Sequence, residues 1–558
     1  MTNLFDPNLL SALQGAAATA PTPVVRLAPG LGDDSVLAAS NLLSATANVE
    51  GMLRPFQAHQ AAAYHFANDS IARWGGVLVG DDMGMGKTQV ALALLADAVR
   101  TTTKPGLVIA PPVAVAGWFD DLRAAFPSLR MVHLKGRTAY TPPPADLYFL
   151  SDDAQTLRAW LAPTQDSERR LILTPFATSV SMLVRDEIHR DKGAMGKPSS
   201  PTSRARLMLT LSKALRERQV PVVGMTGTLL TNRPVEAFLP LQIIGGPDLI
   251  KALTPGAQRM TAFLFTYTDP KNNGYGWNYN GVDLSKMSQL HEYLRRTVYV
   301  RREKSDLGDV LPHGGWIVKP IALNGVLRRY AALERDFLAT VRDEEGPAAA
   351  MRKSRMETAQ RMFALWQEAG VAKAQAAVEY VEDLLEQGQG KVVMFYWHQD
   401  VFHALSKALV KAKIPTVVIN GQVTGDARTD AMREFQNGSA QVMLAQIKAA
   451  GMAVTLTAAS DAVFVQSPWS AGDLKQAADR ILRADTISMD RAARGESVRW
   501  HVLNAAKEDG GHTFDHYMWQ VLEHKAQVVD AVNAGRPVTM SEDDVQHAVL
   551  EAWYADQA

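Results

Sequence analysis

The residues best suited to chemistry begin in the run GGVLVGDDMGMGKTQVALALL, where a short apolar stretch meets a glycine-bearing turn and then a good helix former. A turn of this kind lets backbone amides face an anion at a helix N-terminus. The set assigned to a nucleotide is Asp81, Met83, Gly84, Met85, Gly86, Lys87, Thr88 and Gln89. Lys87 neutralises the outer phosphates and the Thr88 hydroxyl suits magnesium. Asp81 stands where the general phosphate-loop pattern has its first glycine.

A second candidate lies far downstream. The run SMLVRDEIH ends an apolar strand with Asp186 and Glu187. An acid pair at a strand end can hold Mg²⁺ through Asp186 and orient an attacking water through Glu187, so Thr88, Asp186 and Glu187 form the expected metal set. A metalloprotease is excluded, because DEIH lacks two histidines one helical turn apart. In VVGMTGTLLTN, the hydroxyls of Thr226 and Thr228 flank Gly227, placed to sense a γ-phosphate. In DLKQAADRILRADT, Gln476, Arg480 and Arg483 are expected on one helix, with the arginines sharing a face. Two cations so placed would stabilise charge developing on a transferred phosphoryl group. Lys87, Asp186, Glu187, Arg480 and Arg483 are therefore the catalytic candidates.

Such groups need rigid elements to carry them. From Arg54 onward, short β-branched runs (residues 77–80, 107–110, 182–185, 220–225) alternate with helical stretches, as in a parallel sheet. A second alternation starts near Lys391 with KVVMFYW, TVVIN, QVMLAQ, AVFVQ and RWHVL. The fold class expected is α/β with two mostly parallel sheets flanked by helices. The boundaries read as a leader at 1–50, a first α/β unit at 51–232, helical insertions and a connector at 233–375, a second unit at 376–530, and a helical tail at 531–558.

Composition sets outer limits. A chain of 558 residues needs more than one core. With 58 basic and 58 acidic side chains, any polyanion must meet a local basic patch. The absence of cysteine excludes disulfides, thiol nucleophiles and cysteine-ligated zinc. The first twenty residues lack the basic start of a secretion signal, and apolar runs are too short to span a bilayer, so a cytoplasmic protein without a membrane partner is expected.

The order of these motifs resembles superfamily-two helicases, and more narrowly the Swi/Snf family of DNA translocases, over residues 53–525. LRPFQAHQ, with Arg54 and Gln57, resembles the adenine-recognising motif; DDMGMGKT resembles a phosphate loop that also begins with Asp. The acidic and TGT motifs, RREK followed by Leu311-Pro312, VVINGQVTGDAR, FQNG, IKAAG, TLTAAS and SPWSAGDLKQAADRILR complete the series. The stretch GYGWNYNGVDLSKMSQLHEYLRRTVYVRREKSDL is similar to the annealing-helicase branch. Departures are Ile188 for alanine, Leu229 for proline, Ala453 for glycine, and Ala484-Asp485 for a terminal Gly-Gln.

The resemblance implies two RecA-like lobes. It implies ATP and Mg²⁺ held between Gln57, Lys87, Thr88, Asp186 and Glu187 of one lobe and Arg480 and Arg483 of the other. It further implies double-stranded DNA held mainly by its phosphates at APPVAVAGW, Gly421, Gln422, Lys448 and Trp469, with branched or partly single-stranded DNA as further partners. The activity implied is a DNA-dependent ATPase that translocates on duplex DNA. Two alternatives stay open: a strand-separating DNA or RNA helicase, for which the sequence offers no evident aromatic-tipped hairpin, and a non-catalytic scaffold. Modest size and the missing cysteines lead to an expected bacterial or bacteriophage source.

Overall fold

Strands covered on both faces read as unbroken apolar runs, and that pattern sets up both sheets here. The computed structural model describes residues 45–193, 201–227, 229, 234–255, 261–268, 270–272, 277–279, 283–322, 328–343, 355–388, 390–423, 425–450, 454–468, 470–507, 511–520, 522–523 and 553–554. These fall into two compact units that divide between Gly308 and Asp309.

In the first unit, helix α1 (Ala58–Trp74) precedes strand β1 (Gly76–Val79), which leads through the phosphate-loop sequence into α2 (Lys87–Thr102). Then follow β2 (Gly106–Ala110), α3 (Val115–Ala125), β3 (Met131–Leu134), β4 (Leu147–Ser151), β5 (Leu183–Asp186), α4 (Ser203–Arg216), β6 (Val222–Met225) and β7 (Tyr299–Val300). The seven strands form one sheet in the order β7-β1-β6-β5-β2-β4-β3, and every pairing is parallel. Strands β1, β2, β4 and β6 are buried along their whole length. Because all strands run the same way, the turns after β1, β2, β4, β5 and β6 gather at one sheet edge, where open α/β sheets bind ligands.

The second unit repeats the principle with β8 (Gly314–Ala322), β9 (Val392–Tyr396), β10 (Thr416–Ile419), β11 (Val442–Gln446), β12 (Asp461–Phe464) and β13 (Val498–Ala506). These form a six-stranded parallel sheet in the order β8-β13-β12-β9-β11-β10. A helix of 32 residues, α5 (Arg355–Glu386), buries Leu365, Trp366, Val378 and Val381 in the same core as Met394 and Tyr396. Trp553, from the C-terminal stretch, is fully buried there with its ring 5.0 Å from that of Phe337.

The stretch 233–375, expected as insertions and a connector, is largely helical but also supplies a strand to each sheet. Tyr299 pairs with Leu78 of β1, and Gly314 pairs with Val498 of β13. The two residues of β7 carry too little periodicity to stand out beside long amphipathic helices, and the nine of β8 open on two glycines and contain Pro320, which weaken a strand pattern. Residues 1–44 of the leader and nearly all of the tail lie outside the described residues.

Gly76 shows how closely the first sheet is packed. A Cβ there would sit 2.5 Å from the Val222 carbonyl oxygen and 2.6 Å from that of Ile244, both backbone atoms that cannot swing aside. Gly76→Ala is expected to destabilise the first unit by about 1–3 kcal/mol, measured as a lowered urea midpoint.

Candidate active site

The turn after β1 is shaped by glycines where the backbone requires them. Gly84 and Gly86 both have φ of 80°, in the left-handed region. A Cβ on Gly86 would also lie 2.1 Å from the Gln60 amide nitrogen. Lys87 and Thr88 then open α2, so its unpaired N-terminal amides and both side chains sit at the mouth of the turn. Lys87 Nζ donates to the carbonyls of Asp81 at 2.6 Å and Asp82 at 3.0 Å. Burial lowers its pKa, opposed chiefly by the nearby charge of Glu187 and then by Asp81, Asp82 and Asp186.

Four side chains assigned to the nucleotide are buried instead. The Asp81 carboxylate is 1% exposed and is clasped by Arg302, whose Nε and Nη2 lie 3.0 and 2.8 Å from its two oxygens. Met83 is buried as packing. Gln89, also buried, accepts from Arg54 Nε at 2.8 Å and donates to the Arg54 carbonyl at 2.7 Å. An anion or an apolar side chain facing phosphate would be unfavourable, and an amide pinned at both ends has no reach left. Met85 is buried too; its carbonyl accepts from Gln60 at 3.3 Å and lies 2.9 Å from His59 Nε2. Burial lowers the His59 pKa, which favours the neutral ring. Arg54 and Gln57 are brought beside the turn: Arg54 through Gln89, and Gln57 at the N-terminus of α1, where its N–H donates to Gln60 Oε1 at 3.0 Å.

The acidic motif ends β5 as expected. Asp186 Oδ1 accepts from the Glu187 N–H at 2.9 Å, and Oδ2 accepts from the Trp118 indole at 3.1 Å. Burial, reinforced by the adjacent Glu187 charge, pushes the Asp186 carboxyl up to about 6. Glu187 itself has φ 51° and ψ 47°, left-handed values that a non-glycine residue adopts only where its surroundings enforce them. His189 Nδ1 lies 3.2 Å from Glu187 Oε2 and 2.9 Å from Thr226 Oγ1. One ring nitrogen of His189 thus stands between Glu187 and the turn after β6. Ile188, in place of alanine, is fully buried. Thr228 lies outside the described residues.

In the second unit, the expected arginine helix is shorter than its sequence suggests. Helix α6 (Ala471–Ala478) carries Gln476 but ends before Arg480 and Arg483. The chain turns away there because the Arg480 carbonyl accepts from Leu456 N–H at 2.9 Å and Arg483 Nη2 donates to the Val454 carbonyl at 2.9 Å. Gly421 N–H donates to Gln446 Oε1 at 3.3 Å, and Lys448 Nζ stands 4.7 Å above the Trp397 ring. Trp469 and Ala453 lie outside the described residues.

Several contributors were not apparent beforehand. Arg301 donates to Asp82 at 2.9 Å and to the carbonyls of Gly80 and Gly227 at 3.0 and 2.8 Å. The signal available was complementarity: the paired arginines of VYVRREK against the two anions of VGDDM. Trp277 belongs to a two-residue antiparallel ladder and is 49% exposed, its ring 4.9 Å from that of Phe265. The pairing of Trp277 with Asn272 was not announced by the sequence, and residues 273–276 between the two strands lie outside the described residues. Among the described residues no helix is long and apolar enough to cross a membrane.

Residues 58–191 match the SNF2-related domain, and residues 374–485 match the helicase conserved C-terminal domain. Each match falls within one of the two sheet-bearing units. Among relatives, it is 26% identical over 91% of its length to the SWI/SNF-related matrix-associated actin-dependent regulator of chromatin subfamily A-like protein 1 of Xenopus tropicalis, covering 48% of that protein. It is 26% identical over 87% of its length to the DNA annealing helicase and endonuclease ZRANB3 of Mus musculus, covering 42%. The chain spans less than half the length of these relatives. Both come from animals and lend the expected bacterial or phage source no support. Among solved structures, a Sulfolobus solfataricus SWI2/SNF2 ATPase core in complex with dsDNA aligns over 91% of this chain and 98% of its own, with 19% identity and a TM-score of 0.36.

Arg302→Leu leaves Asp81 charged and buried, and is expected to cost about 3–5 kcal/mol in urea denaturation. Asp81→Asn in the same chain should recover most of that loss.

Proposed function

We propose that this protein is a DNA-dependent ATPase that couples ATP hydrolysis to translocation on double-stranded DNA. The observation that carries the reading is the meeting of three groups at one sheet edge: Lys87 at the start of α2, Asp186 and Glu187 at the end of β5, and Thr226 tied to Glu187 through His189. On this reading the amides of Gly84 to Thr88 and the Lys87 ammonium bind the phosphates. Glu187 orients the attacking water and takes its proton, and Gln57 reads the base. Thr226 is set to respond when the γ-phosphate leaves, with His189 relaying the change.

The donors present fit magnesium: a hydroxyl on Thr88 and a carboxylate on Asp186 are the hard oxygen ligands that it takes. When bound, magnesium would supply positive charge against the phosphates. Arg480 and Arg483 are assigned to the charge that develops on the transferred phosphoryl group. The ends of the run 110–118, Ala110 and Trp118, are buried, so duplex DNA is assigned to residues 111–117, Gly421, Gln422 and Lys448 through its phosphates, which makes binding salt-sensitive and nearly independent of sequence. The relative named a DNA annealing helicase supports a DNA substrate over RNA. The exposed Trp277 in its short antiparallel ladder favours a second reading, strand separation, in which its ring would stack on an unpaired base.

The test is ATP hydrolysis with no polymer, duplex DNA, single-stranded DNA or RNA. Duplex DNA is expected to stimulate it, and Glu187→Gln to lower kcat by about 100-fold or more while retaining nucleotide. Stimulation by single strands or RNA alone would favour the helicase reading, in which Trp277→Ala should abolish strand separation but spare hydrolysis. Absence of hydrolysis with every polymer would overturn the proposal.

A pH dependence follows from Asp186. Its carboxyl is pushed up to about 6, and a cation needs the ionised form. Proton and Mg²⁺ therefore compete as pH falls, so Mg²⁺ affinity should be level above that value and fall about tenfold per pH unit below it, as measured by the Mg²⁺ concentration giving half-maximal hydrolysis.

A further inference from the structure

We propose that Trp118 is a positioning residue for the metal-side carboxylate, a deepening that rests on the function proposed above. Trp118 lies on α3, is 2% exposed, and packs edge-on against Phe149 with ring centroids 6.5 Å apart. A buried indole N–H must find an acceptor. Here it spans 68 positions of sequence to reach Asp186 Oδ2 at 3.1 Å. The other oxygen, Oδ1, takes the Glu187 N–H at 2.9 Å. Each carboxylate oxygen is thus fixed by one donor and keeps a lone pair for a cation or its water.

The backbone side of the same residue is held as firmly. Arg185, fully buried, donates to the Asp186 carbonyl and, at 3.3 Å, to the Ile109 carbonyl. Its guanidinium is pinned in turn by Asp191 at 2.6 Å and Asp152 at 3.1 Å. With the main chain clamped, the one freedom left to Asp186 is rotation of its carboxylate. The indole N–H is the side-chain donor that sets that rotation. Partners of this kind, one shell out from a metal, change metal affinity or activity by about 10- to 100-fold when removed.

The experiment is calorimetric titration of the full chain with ADP, with and without Mg²⁺, beside thermal melting. Trp118→Phe removes the donor. As that change also trims a buried ring, a second protein carries β-(3-benzothienyl)alanine at 118, which keeps the bicyclic shape and replaces N–H by sulfur. In both, affinity for ADP with Mg²⁺ is expected to fall about tenfold, while affinity for metal-free ADP stays at the wild-type value. The benzothienyl protein should also melt at the wild-type temperature. Unchanged affinity with Mg²⁺ in the benzothienyl protein would overturn the proposal. So would an equal loss with and without Mg²⁺, which marks a packing role. If the unaltered protein binds ADP no better with Mg²⁺, the function proposed above loses its metal site and this inference falls with it, an outcome visible before any substitution is made.

Discussion

Two adjacent aspartates beneath a turn proposed to bind phosphate would defeat that purpose unless their charge were taken up elsewhere. At an effective dielectric of about 20, a carboxylate 4 Å from a phosphate oxygen opposes binding by about 4 kcal/mol. Arg302 and Arg301 remove that penalty by pairing with Asp81 and Asp82 within the core. The arginines arrive there because β7 lies parallel to β1, with Tyr299 opposite Leu78 and Val300 opposite Val79. Gly80 permits the approach, since a Cβ on it would meet the Tyr299 ring at 2.0 Å. Arg301 then reaches the Gly80 and Gly227 carbonyls, so the turns after β1 and β6 share one anchor.

The acidic turn follows the same logic with a different set. Arg185, Arg190 and Arg204 meet Asp152 and Asp191 in a largely buried cluster that joins the ends of β4 and β5 to the first turn of α4. A network of this sort adds little net stability but tolerates few alternative arrangements, because any other leaves a buried charge unmatched. That is the setting in which Glu187 can persist in a left-handed conformation. The strain is local and the support is spread over three elements.

How much of this was legible in the sequence depended on range. The phosphate-loop run, the acidic pair and both strand alternations are contiguous signals, and each stands where the residues placed it. The partners of Asp81, Asp82 and Asp186 are not contiguous with them, so their roles could not be read from the motifs alone. Asp81 looked like a ligand contact because nothing nearby suggested a cation for it. Arg480 and Arg483 looked helical because AADRILRAD has a helical composition, while the Leu456 N–H and Val454 carbonyl that draw them off the axis sit more than twenty residues earlier. The split of 233–375 between two sheets was hidden for a related reason: a two-residue strand such as β7 is defined by the neighbour it pairs with, and the glycines and proline of β8 mask its strand pattern.

The distance between Asp81 and Arg302, 221 positions, also bears on how the chain is made. A ribosome adding about 5–20 residues per second needs roughly 10–40 s to travel from one to the other. Throughout that interval β1 lacks its outer neighbour and the two aspartates lack their counter-charges. The first unit cannot close as it emerges; it must wait, partly assembled, until β7 and the paired arginines leave the exit tunnel. Its nascent form is therefore a long-lived species with one open sheet edge, the state in which chaperone capture or mispairing would occur.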